Sequence, residues 1–129
     1  MRRILAVILL YSSFSHSADI CHNITTSDQV ASCSESKKDL ADEYLNKQYS
    51  ALLSKVNSAY MNDEFLKQEF VKNIKVAQRD WIKFRDSNCQ LYSFQIDNKS
   101  PAYQTTFNEC VAKMSEARGK ELAELSGNI

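Results

Sequence analysis

Four cysteines, Cys21, Cys33, Cys89 and Cys110, are the residues of this 129-residue chain best suited to covalent or metal chemistry. A structural zinc site is normally built from close pairs such as C-x-x-C, and no two of these cysteines are that near in sequence. An even count fits two disulfides in an oxidising compartment. The only histidine beyond residue 17 is His22, beside Cys21. Any Ser-His-Asp or Cys-His relay would have to use it, and no partner constellation surrounds it. Asp80 and Asp86 form a carboxylate pair of the kind hydrolytic chemistry uses. With 16 acidic residues in the chain, such pairs also arise by chance. There is no phosphate-binding loop, dinucleotide fingerprint or zinc-protease motif. The expectation is a protein that binds and does not catalyse, with no cofactor and no metal.

Export is the second expectation. Arg2 and Arg3 precede the apolar run Ile4 to Leu10, and Ser15 and Ser17 place small residues at −3 and −1 of a cut after residue 17. That is the three-part pattern of a secretory signal peptide. The run is too short to span a bilayer, which takes roughly 20 apolar residues. The division expected is a signal peptide over 1–17 and one domain over 18–129, with no membrane span after processing. The processed chain carries 14 basic and 16 acidic residues. So mild an acidity argues against nucleic acid as a partner, since such binders show a basic excess.

Elements must position whatever these residues do. Two glycines and one proline supply too little turn material for a sandwich or barrel of many strands. After a polar lead from Asp19 to Ser27, Ala41, Leu45, Leu52, Val56 and Tyr60 recur at helical spacing, flanked by Leu40, Tyr44, Tyr49 and Leu53. Asn62 and Asp63 break that helix and cap a second. Its apolar stripe is read as Leu66, Phe70, Ile74, Ala77, Trp81, Phe84 and Leu91, with Phe65 beside its start. Asp97, Asn98 and Lys99 make a turn, and Ser100-Pro101 starts a third helix as cap plus first-turn proline. The third stripe is read as Tyr103, Phe107, Cys110, Met114, Ala117, Glu121 and Leu125, ending at Gly127. Gly119 inside that helix costs about 1 kcal/mol relative to alanine unless it permits a close contact. Short connections make consecutive helices antiparallel neighbours. The fold class is therefore all-α: an elongated three-helix antiparallel bundle with two disulfides.

Registering the helices brings distant residues level. A hairpin turning near residues 99–100 sets Cys89 opposite Cys110, leaving Cys21 to pair with Cys33. Local closure favours this solution, and Cys33 with Cys89 plus Cys21 with Cys110 stays open as the alternative. A first hairpin turning near residue 62 sets Asn46 opposite Gln78 and Asp42 opposite Ile82, with Arg118 level with Trp81. Asp42, Asn46, Gln78, Arg85 and Arg118 are thus expected as a polar layer around the indole of Trp81. An Arg–carboxylate network that fixes helix register is the first reading of that layer, and a binding cluster the second.

One further property lies in the order of residues. Ala41-Asp42, Leu45-Asn46 and Tyr49, then Ala77-Gln78-Arg79-Asp80-Trp81-Ile82-Lys83-Phe84-Arg85-Asp86 with Cys89, then Cys110, Arg118 and Leu122, resemble the LprI-like family of small exported bacterial proteins. An amphipathic helix needs no such order of polar residues. The resemblance implies a helical, disulfide-bonded protein of the periplasm or the secreted fraction. It also implies a protein partner, lysozyme or another cell-wall hydrolase, since inhibition is attributed to some members. The competing expectation is a periplasmic structural or assembly module without inhibitory activity, able to self-associate. Candidate contact surfaces are a helix face carrying Asp80, Asp86 and Tyr92, the turn from Asp97 to Ser100 with Asp97, Asn98 and Lys99, or the turn from Met61 to Asp63.

Overall fold

The computed structural model describes residues 20–129, so the expected signal peptide lies outside the described residues. Three helices follow in order: α1 (Ser27–Ala59), α2 (Glu64–Tyr92) and α3 (Pro101–Gly127). Each starts where its sequence supplies an oxygen for the free N–H groups of the first turn. Thr26 accepts from Gln29 N while the Gln29 side chain accepts from Thr26 N, a reciprocal capping box. Asp63 accepts from Leu66 N at 2.9 Å. Ser100 accepts from Tyr103 N at 3.2 Å, with Pro101 pre-set in the first turn. Gly127 is the last residue of α3, but Asn128 continues in right-handed backbone, so the left-handed freedom of glycine is not used there.

The helices form the expected bundle, with disulfides Cys21–Cys33 and Cys89–Cys110. Consecutive helices are antiparallel, which makes α1 and α3 parallel. Asn108 reaches Ser34, Ser115 reaches Asp42, and Gly119 lies against Tyr44 and Leu45, in the same order along both helices. These two helices pack closest, and α2 stands further from both.

Two of the three apolar stripes need correction. On α3 the buried residues are Asn108, Val111, Ser115, Gly119 and Leu122, while Ala117, Glu121 and Leu125 are exposed. The buried face is rotated from the apolar one because close approach to α1 selects small side chains, whatever their polarity. On α2 the buried residues are Ile74, Gln78 and Cys89, and Ala77, Phe84 and Leu91 face outward. The inner face of α2 is polar midway along, so apolar residues mark its flank.

The core is unevenly distributed. Leu45, Leu52, Val56, Ile74 and Leu122 form a buried cluster, with Tyr49, Leu53, Tyr60, Phe70 and Trp81 packed against it. Tyr60 and Phe70 meet edge to face at 5.7 Å. All of this lies in the half that ends at the α1–α2 turn. In the other half the buried residues are Cys33, Ser34, Cys89, Ser93, Asn108 and Val111. Both disulfides lie there, where little apolar area holds the helices together and a covalent link replaces it.

Candidate functional site

Between the apolar half and the stapled half lies a layer of polar side chains. Arg85 projects from the third turn before the end of α2, where only about 12% of its side chain reaches solvent. Its Nη1 donates to Asp42 Oδ1 at 2.9 Å and to Ser115 Oγ at 3.0 Å, and its Nε donates to Asp86 Oδ1 at 2.9 Å. Ser115 Oγ donates in turn to the same Asp42 oxygen at 2.7 Å. One carboxylate on α1 thereby ties α2 to α3. A turn away, Arg118 Nε donates to Gln78 Oε1 at 3.2 Å and Arg118 Nη1 to Glu121 at 2.9 Å. The guanidinium carbons of Arg85 and Arg118 lie 5.6 and 5.9 Å from the centre of the Trp81 ring, within cation–π range.

The structure thus groups Asp42, Gln78, Trp81, Arg85 and Arg118. Asn46 is exposed and stands outside the hydrogen-bonded set. The register behind its assignment is off by about one turn, since Asp42 meets Arg85 and not the level of Ile82. Asp86, assigned from sequence to a contact surface, is held by Arg85 within the layer. Ser115 escaped the sequence reading because its hydroxyl sits in a helix judged by apolar spacing alone. The signal was present in the interval Asn108, Val111, Ser115, Gly119, Leu122, which is helical once small polar residues are counted as buriable.

No buried side-chain nitrogen or oxygen among the described residues lacks a hydrogen-bond partner. The donors of the layer face protein acceptors, so the arrangement has the chemistry of a register lock. Nor do three or more His, Cys, Asp or Glu side chains converge among the described residues to hold a metal. His22 is exposed in the lead segment.

A different surface is open. At the stapled end Leu91, Tyr92 and Phe94 are exposed, Phe94 to 81%, and Phe84 lies two turns back. Single exposed apolar residues are ordinary, and several close together in sequence make a candidate contact surface. Beside Tyr92 runs a groove of about 400 Å³ between α2 and α3, lined by Asn88, Thr106, Glu109, Cys110 and Met114. Asn88 Nδ2 donates to Met114 Sδ at 3.3 Å, and that sulfur lies 3.7 Å from Cys89 Sγ, so the groove floor rests on the Cys89–Cys110 bridge. The adjoining turn is ordered by Asp97, whose carboxylate accepts from Lys99 N and whose carbonyl accepts from Ser100 N. Asp97, Asn98 and Lys99 are all exposed. Asp80 is exposed on α2, 3.8 Å from Lys83.

Fold and surface together define a disulfide-stapled helical bundle with exposed aromatic side chains at its stapled end. The family model described as "Lysozyme inhibitor LprI" matches residues 21–122. The chain belongs to the LprI family. Among solved structures, a DUF1311 family protein from Pseudomonas putida KT2440 is similar, at 25% identity and a TM-score of 0.72. That match covers 83% of this chain and 100% of the other. No curated protein sequence matches the chain.

Proposed function

We propose that this is an exported binding protein that blocks lysozyme or another cell-wall hydrolase by docking its stapled end. The observation that carries the proposal is the exposed cluster Leu91, Tyr92 and Phe94 beside the α2–α3 groove. It sits between the Cys89–Cys110 disulfide and the turn ordered by Asp97. A preorganised surface loses little entropy on binding. Aromatic side chains supply the anchoring area typical of interface hot spots. Family membership supports a hydrolase as the partner. Charge agrees with a basic one: residues 28–43, in the half of α1 that reaches this end, carry five carboxylates against two lysines.

The test is titration of residues 18–129 into lysozyme during a cell-wall lysis assay. Inhibition is expected, and Tyr92→Ala with Phe94→Ala should abolish it while leaving the melting temperature unchanged. No inhibition at micromolar excess removes lysozyme as the target. Capture experiments on envelope extract then decide between another hydrolase and the assembly-module reading, in which scaffold proteins or a second copy are bound and lysis is unaffected.

A further inference from the structure

The opposite end of the rod carries a second surface with a different chemistry. The α1–α2 turn and the first turn of α2 place Met61, Phe65 and Leu66 in solvent within six residues, Phe65 to 79%. Immediately behind them α2 presents Lys67, Lys72, Lys75 and Arg79 along a groove of about 410 Å³, in which Val71 and Val76 supply apolar wall. Across residues 55–79 there are five cations and three carboxylates. Those carboxylates are occupied: Asp63 caps α2, Glu64 pairs with Lys67, and Glu69 lies 3.8 Å from Lys72. On the neighbouring α3, Glu121 is held by Arg118 and Glu116 by Lys120. Among the described residues, no carboxylate lies within ion-pair distance of Lys75 or Arg79.

We propose that this end docks on an anionic lipid surface, with Met61, Phe65 and Leu66 entering the interface, Lys67 and Lys72 meeting lipid phosphates and the cations behind them adding longer-range attraction. Peripheral attachment combines buried apolar area with attraction to anionic headgroups. The order of residues along the rod matches the order of layers in a membrane. At 1.5 Å rise per residue, Lys67 and Lys72 stand about 5 and 12 Å from the start of α2. Apolar side chains inserted by about 5–10 Å would leave those two at headgroup depth. Lys75, about 17 Å along, falls within about a Debye length of the surface, and Arg79, about 23 Å along, lies just beyond it. None of the described helices is long and apolar enough to cross the bilayer, so the contact is one of docking. The stapled end has exposed aromatics too, but its α1 half is acidic and an anionic surface repels it. An upright rod therefore presents Tyr92 and Phe94 away from the lipid. This inference does not rest on hydrolase binding, and either can fail alone.

The experiment is co-sedimentation of residues 18–129 with vesicles of phosphatidylcholine containing or lacking phosphatidylglycerol. Binding is expected only to the anionic vesicles and should weaken as salt is raised. Lys72→Gln with Lys75→Gln should weaken it about 25-fold, since each basic residue near such a surface contributes roughly a factor of five. Met61→Ser with Phe65→Ser should weaken it as much, with unchanged circular dichroism and melting, because both side chains are exposed. Equal or absent binding to the two vesicle types would overturn the inference. So would full retention in either double variant. Binding to soluble polyphosphate without binding to vesicles would also overturn it, because the groove would then serve a free polyanion.

Discussion

The ring of Tyr44 lies across the backbone of Gly119, so that a Cβ at position 119 would stand 2.5 Å from Tyr44 Cε1 and 2.7 Å from Cδ1. The same Cβ would meet the Leu45 Cα at 3.5 Å, ordinary contact. The obstacle is therefore one side chain. Gly119→Ala gains about 1 kcal/mol of helix propensity but must expel a half-buried ring from the α1–α3 seam. Overpacking of this kind typically costs about 1–3 kcal/mol. The single variant should lose about 1 kcal/mol net. In the Tyr44→Ala background the same change should stabilise, because the obstacle is gone. A double-mutant cycle by urea denaturation measures the reversal of sign.

Arg85→Ala should be more damaging than any surface change on α2. It strands Asp42 and Ser115, which lie on different helices and share that guanidinium. Breaking a fully buried pair costs about 3–5 kcal/mol. The Asp42 side chain is 35% exposed, so water recovers part of that and about 2–3 kcal/mol is expected. Thermal melting should fall by roughly 10 °C. Ser115→Ala, which leaves the ion pair intact, should cost about 1 kcal/mol. A parent-like melt for Arg85→Ala would remove the register-lock reading.

Acid titration offers a local probe of the α1–α2 end. The Lys67 ammonium bonded to Glu64, helped by the Gln68 amide, holds the Glu64 carboxyl below the ordinary glutamate range. A depressed carboxyl stabilises the fold above its unfolded pKa, and that contribution disappears as pH falls through the folded one. The group is fully exposed, so the effect on global melting should be small. Carboxyl NMR should show Glu64 titrating below the ordinary glutamate value, and Lys67→Met should move it back up.

Some of this architecture was open to reading from residue order and some was not. Three helices, their starts at Asp63 and Ser100, and the Cys89–Cys110 bridge follow from caps and hairpin register, which depend on local chemistry. The buried faces of α2 and α3 did not follow from apolar periodicity. Ser115 and Gly119 are buried because two helices meet closely there, and closeness is a property of the pair of helices, which neither sequence shows alone. Gln78 and Arg85 are buried because partners on α1 and α3 satisfy them. Phe84 and Leu91 were assigned inward by hydrophobicity, yet the inner positions of α2 were already taken. Leu66 falls in the same stripe by spacing and is exposed, whereas the sequence places Tyr92 and the turn from Met61 to Asp63 at the surface, and they are exposed in the structure.

The two disulfides should differ in what they hold. Each closes a short loop, with sequence separations of 12 and 21, so chain entropy assigns each about 3 kcal/mol against the unfolded state. Their native surroundings are unlike. Cys89–Cys110 links two long helices where buried Val111 stands beside buried Ser93 and Asn108, and the main apolar cluster lies in the other half. Cys89→Ser with Cys110→Ser should therefore lower the global melt by nearly the full amount and loosen the groove beside Tyr92. Cys21–Cys33 fastens only the lead segment to α1. Once it is cut, residues 20–26 can detach while the helices stay packed, and that local freedom replaces part of the expected loss. Cys21→Ser with Cys33→Ser should give the smaller shift in melting, with fast amide exchange confined to the first turns of α1. Equal shifts from the two double variants would mean that the lead segment is part of the cooperative unit, and that the stapled end is held from both sides.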